Sequence, residues 1–219
     1  MAAQRLIELN HPIEDGMTTY KGLPGPVICD YLSREASRAL YAPGTEFAIG
    51  RIDMVTNTGT YLDTPFHRFA DGADLCGVAL DRVTGLPGLV VRSDAIAIGP
   101  DVFAGLAVRG HAVLVHTGWD RHWRTAEYQS GHPFLTEAAA NFLRDEGAAL
   151  VGIDSHNIDD ISQNSRPVHT ILLGAGIPIV EHLTGLAALP AEGFEFNAPP
   201  PRIRGLGTFP VRAHAVIKG

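Results

Sequence analysis

Four short apolar runs constrain this chain more than anything else in it: Gly88–Arg92, Ala112–His116, Ala149–Ile153 and Ile177–Val180. Each is rich in Val, Ile, Leu or Ala, and too short to be a helix. Such runs suit strands buried on both faces of a sheet. Helix signals lie between them. Thr136 can cap the start of a helix, Glu137 complements its positive end, and Gly147 suits its C-terminal cap. Ala139, Phe142 and Leu143 form its apolar stripe. Pro167–Leu173 predicts a second, shorter helix with Pro in the permitted first turn. The strand–helix–strand order predicts an α/β or mixed α+β fold with a partly parallel sheet. Further strands are expected at Arg5–Leu9, Val211–Ile217 and Glu46–Val55, the last alternating as a half-buried strand does. No repeat or linker divides the chain, so it reads as one domain over residues 1–219, with Asn197–Pro201 as a surface loop.

The formal charge is −7, with 45% hydrophobic and 19% charged residues. This balance fits a soluble globular protein and argues against nucleic acid or anionic membranes as partners. No apolar run approaches the roughly 20 residues of a membrane span. The opening residues show no export signal. Cys29 and Cys76 make neither a disulfide framework nor a Cys-x-x-Cys pair, so two reduced thiols in a cytoplasmic protein are expected. Lys21 and Lys218 are the only lysines, which argues against a Schiff-base mechanism. Gly174-Ala-Gly176 follows a helix and precedes a strand, the wrong order for a nucleotide-binding turn.

Candidate chemistry concentrates in Asn57-Thr-Gly-Thr-Tyr-Leu-Asp-Thr-Pro-Phe-His67, expected as a loop leaving the end of a sheet. Asp63 and His67 are its two titratable groups. A carboxylate beside an imidazole orients it and raises its basicity, or both bind one metal. The plainer reading is a turn with a capping Asp and a surface His. A second cluster runs from Arg166 to His182. There His169 lies in the short helix and Glu181 ends the next strand, where side chains project into the crevice of an α/β sheet.

The segment Asn57–His67 resembles the signature His-x-Gly-Thr-His-x-Asp-x-Pro-x-His of the cyclase family, which includes bacterial kynurenine formamidase and isatin hydrolase. The resemblance extends along the chain: Asn10–Pro24, His116-Thr-Gly-Trp-Asp120, Gly152-Ile-Asp154 and Pro167–Glu181 are similar to family segments in the family's order. It implies a swivelling β/β/α core, a homodimer or higher homo-oligomer, and metal-dependent hydrolysis of an amide or lactone. It further implies that His67 is the acid/base residue. Asp63 would be a metal ligand, and His169 and Glu181, twelve residues apart, the later ligand pair.

Two signature histidines are replaced, by Asn57 and Tyr61. Asn is a weak oxygen ligand and neutral Tyr a poor one. No cofactor is favoured on these residues; the alternative is one zinc or manganese ion on Asp63, His169 and Glu181. In a metal-free site His67, Asp63 and Glu181 would work as acid/base groups, with Tyr61 donating to an oxyanion. Thr60, Asn57, Trp119 and His156 are candidate substrate-binding residues, Trp119 and Trp123 being placed to wall an aromatic pocket from one side of a helix. His122, His132 and His182 rank below His156. The expected function is hydrolysis of a small cyclic amide, aryl formamide or lactone, with a small aromatic or cyclic molecule as substrate. A metal-independent cyclase, dehydratase or isomerase, and an inactive ligand-binding homologue, are the alternatives.

Overall fold

The computed structural model describes residues 4–218. Its strands are β1 (Arg5–Glu8), β2 (Val27–Leu32), β3 (Ile49–Asp53), β4 (Tyr61–Asp63), β5 (Leu86–Arg92), β6 (Ala97–Ile98), β7 (Ala112–His116), β8 (Phe134–Leu135), β9 (Leu150–Ile153), β10 (Ile179–Glu181), β11 (Phe194–Asn197), β12 (Thr208–Pro210) and β13 (His214–Ile217). The helices are α1 (Arg34–Ser37), α2 (Glu137–Glu146) and α3 (Pro167–Gly174). Nine strands form one mixed sheet in the order β1-β13-β11-β5-β7-β9-β10-β4-β12. Its centre, β5-β7-β9-β10, is parallel, and the flanking pairs are antiparallel.

The four apolar runs occupy that parallel centre because alternate residues feed two cores. Leu89, Val91, Val113, Val115, Val151 and Ile153 pack with Ala139, Leu143, Val168 and Leu172 of α2 and α3. Val90, Leu114 and Val180 face the other way, in one cluster with Leu62 from β4 and Ala215 from β13. Strands near opposite ends of the sheet share that cluster, so the sheet curls over its own apolar face. Each fully buried Leu or Val contributes about 1.5–3 kcal/mol before ordering costs.

Helix α2 begins and ends where its caps predict: the Thr136 side chain accepts from the Ala139 amide, and Gly147 takes φ 79°. Other expectations need correcting. The alternating segment Glu46–Val55 yields only β3, and all five of its residues are exposed. It pairs with β2 in a two-stranded ribbon outside the main sheet, so neither face reaches a core. Asn57–His67 is not simply a loop. Three of its residues form β4, held between β10 and β12; three residues are too few for a local period, and distant pairing decides their state. Trp119 and Trp123 do not share a helix face, since Trp119–His122 is a short 3-10 turn and Trp123 lies beyond it. Asn197 ends β11 and is buried with Ala198, so only the later part of Asn197–Pro201 is surface loop.

Candidate active site

Three adjacent strands, β10, β4 and β12, lay out one side of the site. In register, Tyr61 lies opposite Glu181, and Asp63 lies opposite Thr208. Tyr61 and Asp63 are two apart, so they share a face, while Leu62 turns into the core. Thr64 then leads into the 3-10 turn Pro65–His67, which carries His67 back over Asp63. The Thr64 amide donates to the Gly207 carbonyl at 2.7 Å. A Cβ on Gly207 would come within 2.2 Å of the His67 backbone nitrogen. Gly207→Ala is therefore expected to push the His67 turn off β12, costing about 2–3 kcal/mol and lowering kcat/KM. Urea unfolding and turnover measure both, and wild-type values would refute the contact.

The other side is α3. Asp159 caps it, accepting from the Val168 amide at 2.8 Å and the His169 amide at 3.1 Å. The same carboxylate meets His169 Nδ1 at 2.6 Å. This turns His169 Nε2 toward Asp63 Oδ2 and Glu181 Oε1, each 3.7 Å away. Burial works against protonating His169, but Glu181, Asp159 and Asp63 outweigh it and raise its pKa to about 10. Burial pushes the Glu181 carboxyl up, and His169 opposes that shift.

His67 is the accessible member of the group. Its Nδ1 lies 2.7 Å from Thr208 Oγ1, whose hydroxyl also bonds Asp63 Oδ1. With the Thr208 proton directed to the carboxylate, the hydroxyl accepts from His67 Nδ1–H. This network assigns the tautomer and leaves Nε2 as the basic nitrogen.

Tyr61 is fully buried and gives its proton to Glu181 Oε2 at 2.6 Å. Its oxygen also lies 2.9 Å from the Tyr20 hydroxyl, which donates to the His156 carbonyl at 2.9 Å, and 3.3 Å from His182 Nε2. Asn157 donates to Tyr20, and His182 Nδ1 meets the Tyr128 hydroxyl at 2.8 Å. Burial raises all three phenol pKa values and holds His182 neutral, so the chain is one of uncharged groups ending on a carboxylate. The expectation that Tyr61 serves as a free oxyanion donor is corrected: its proton holds Glu181 in place.

A cleft of about 650 Å³ opens over this floor, with Tyr20, Asn57, Tyr61, His67, His169 and Glu181 in its lining. Three expected substrate-binding residues lie elsewhere. Thr60 is buried on the opposite face from Tyr61, donating to the His182 carbonyl at 2.5 Å. Trp119 is half-buried with Nε1 bonded to the Tyr128 carbonyl at 3.1 Å. His156 is buried behind Tyr20, with ring centroids 4.5 Å apart. Conversely, Tyr20, Asn157, Asp159 and Thr208 went unread in the sequence, because no local spacing ties them to Asp63 or His169.

The residues fit one divalent ion and not two. Asp63 Oδ2 is buried and has no hydrogen-bond partner among the described residues. His169 is oriented through Nδ1 by a carboxylate, as metal-binding histidines usually are. His67 brings a further ligand atom within 4.8 Å of those of Asp63 and His169, and Glu181 Oε1 lies 3.7 Å from His169 Nε2, a mixed oxygen and nitrogen set of the kind zinc or manganese accepts. Where the resembled signature would add two imidazoles stand the Asn57 amide and the Tyr61 phenol, whose proton is directed to Glu181. Replacing both, Asn57→His with Tyr61→His, is expected to raise metal content from at most about one equivalent per chain toward two. Elemental analysis of protein purified without chelator reads this; no gain, or two equivalents in the natural chain, would refute it.

Comparison with known proteins agrees with this geometry. Residues 7–160 match a family model described as "Putative cyclase". The kynurenine formamidase of Geobacillus thermodenitrificans is 30% identical over 167 residues, 75% of this chain and 78% of that protein. That of Bacillus cereus is 25% identical over 214 residues, 97% of this chain and 98% of that protein. The solved structure of isatin hydrolase A from Labrenzia aggregata superposes with a TM-score of 0.82 at 20% identity, covering 99% of this chain and 94% of that one, a likeness of fold.

Proposed function

Because the chain belongs to the cyclase family, we propose that it is a hydrolase of a small aryl formamide or cyclic amide. The observation that carries this reading is the meeting of Asp63, His67, His169 and Glu181 on one cleft floor. The curated relatives named kynurenine formamidase support the same class of reaction.

The substrate carbonyl enters above Asp63, and His67 Nε2 takes a proton from the attacking water. The new C–O bond forms as the C–N bond breaks, and His67 returns the proton to the departing amine. Thr208 and Asp63 hold the imidazole in the tautomer this requires. Tyr61 fixes Glu181 against His169. Asp63, His169 and Glu181 are the residues that would hold a divalent ion, which when bound polarises the carbonyl and acidifies water.

A panel of N-formylanilines, isatin and aryl lactones tests the reading, with and without added zinc or manganese. Turnover of at least one member is expected, falling by roughly 10²–10⁴ in His67→Ala. No turnover under any condition would sink it.

We further propose that a second copy of the chain packs on the β2–β3 ribbon. Val27, Ile28, Tyr31, Ile49 and Ile52 are exposed there, and a lone two-stranded ribbon is marginal in water. No helix among the described residues is long and apolar enough to cross a membrane; a cytoplasmic location is proposed from the sequence alone.

A further inference from the structure

The mouth of the cleft differs in charge from its floor. Below lie the buried carboxylates of Asp63 and Glu181. At the rim stand Arg68 and Arg166, both in the cleft lining. Among the described residues no carboxylate comes within 4.0 Å of either guanidinium, Glu137 of the same lining included.

Both arginines are nevertheless held. Arg68 Nε donates to Thr170 Oγ1 at 3.2 Å, and its guanidinium lies 5.4 Å from the Phe69 ring centre. Thr170 Oγ1 in turn donates to the Arg166 carbonyl at 2.7 Å. Arg166 Nη1 donates to the carbonyls of Gln163 at 2.5 Å and Ser165 at 2.7 Å. These contacts use Arg68 Nε and Arg166 Nη1. Among the described residues nothing engages the two Nη groups of Arg68, the edge that a carboxylate engages in a bidentate pair.

We propose that Arg68, with Arg166 beside it across Thr170, forms a carboxylate-binding subsite. The substrate is then an amide that itself carries a carboxylate close to the scissile group. Proximity follows from the chain: Arg68 adjoins His67, and Thr170 adjoins His169, so rim and floor are one residue apart on each wall. The acidic floor repels an anion and the rim attracts it, which sets the substrate's direction as well as its affinity. This deepens the hydrolase reading and rests on it.

The test compares 2-formamidobenzoate with its methyl ester. Wild-type kcat/KM is expected to favour the acid by about tenfold or more. In Arg68→Gln this preference falls about tenfold, mainly through KM for the acid, and Arg68→Lys retains part of it. Equal kcat/KM for acid and ester in the wild type, or an unmoved ratio in Arg68→Gln, would overturn the subsite. If neither formamide is turned over, the hydrolase reading has failed separately, and calorimetry with benzoate decides. Binding lost in Arg68→Gln/Arg166→Gln upholds the subsite, and binding equal to wild type overturns it. Thermal melts confirm that each variant is folded.

Discussion

His169→Ala is expected to be the most damaging single change in the molecule. It takes the one cationic side chain from among three buried carboxylates, Asp63, Asp159 and Glu181. Breaking a buried charge group by deleting one partner costs about 3–5 kcal/mol. The loss should be largest near pH 6.5, because above it the unfolded imidazole gives up its proton while folded His169 keeps its own up to about 10, and the wild-type advantage declines. At lower pH Glu181, whose carboxyl burial pushes up and His169 no longer opposes, takes up a proton and the penalty shrinks. Turnover should fall by roughly 10³-fold or more, as when a member of an interdependent catalytic group is removed. Urea unfolding at two pH values and kcat/KM measure these outcomes. Wild-type stability would mean that the three carboxylates are not charged together, and wild-type turnover would remove His169 from the site.

The second large effect comes from histidines outside the floor. His156 is buried, its Nδ1 has no hydrogen-bond partner, and burial followed by the nearby His132 lowers its pKa to about 4. Burial likewise lowers His11 to about 4 and His132 and His182 below their ordinary value. Between the unfolded pKa near 6.5 and the folded value, the unfolded chain binds more protons. Stability is therefore lost as pH falls through that window and is intact above it. His156→Phe keeps the ring and removes the proton acceptor. At pH 8 it should change stability by less than about 1 kcal/mol, since no side-chain hydrogen bond is lost. At pH 5 it should stabilise by about 2 kcal/mol. An unchanged difference between pH 5 and pH 8 would show that His156 does not titrate in this way.

Local signals were the legible ones. Thr136 and Gly147 bracket α2 because caps act within a few residues. Asp63 and His67 stand in one short segment, and His169 and Glu181 lie a fixed twelve residues apart, so resemblance finds all four. Thr208 reaches Asp63 only through the pairing of β12 with β4, 145 residues along the chain. Tyr20 reaches Tyr61 only because the chain folds back over 41 residues. Nothing in the composition of those segments announces such meetings. The β3 alternation misled for a related reason: a period of two describes a strand but not what lies against its faces.

The position of Asp159 has a consequence for how this protein can change over generations. One carboxylate both starts α3 and aims His169. A substitution there cannot trade folding against chemistry, because both fail together. Asp159 is thus pleiotropic, and a lineage can tune the reactivity of His169 only by altering Asp63 or Glu181. That leaves adaptation to the strands of the sheet, where Tyr61 is set directly against Glu181.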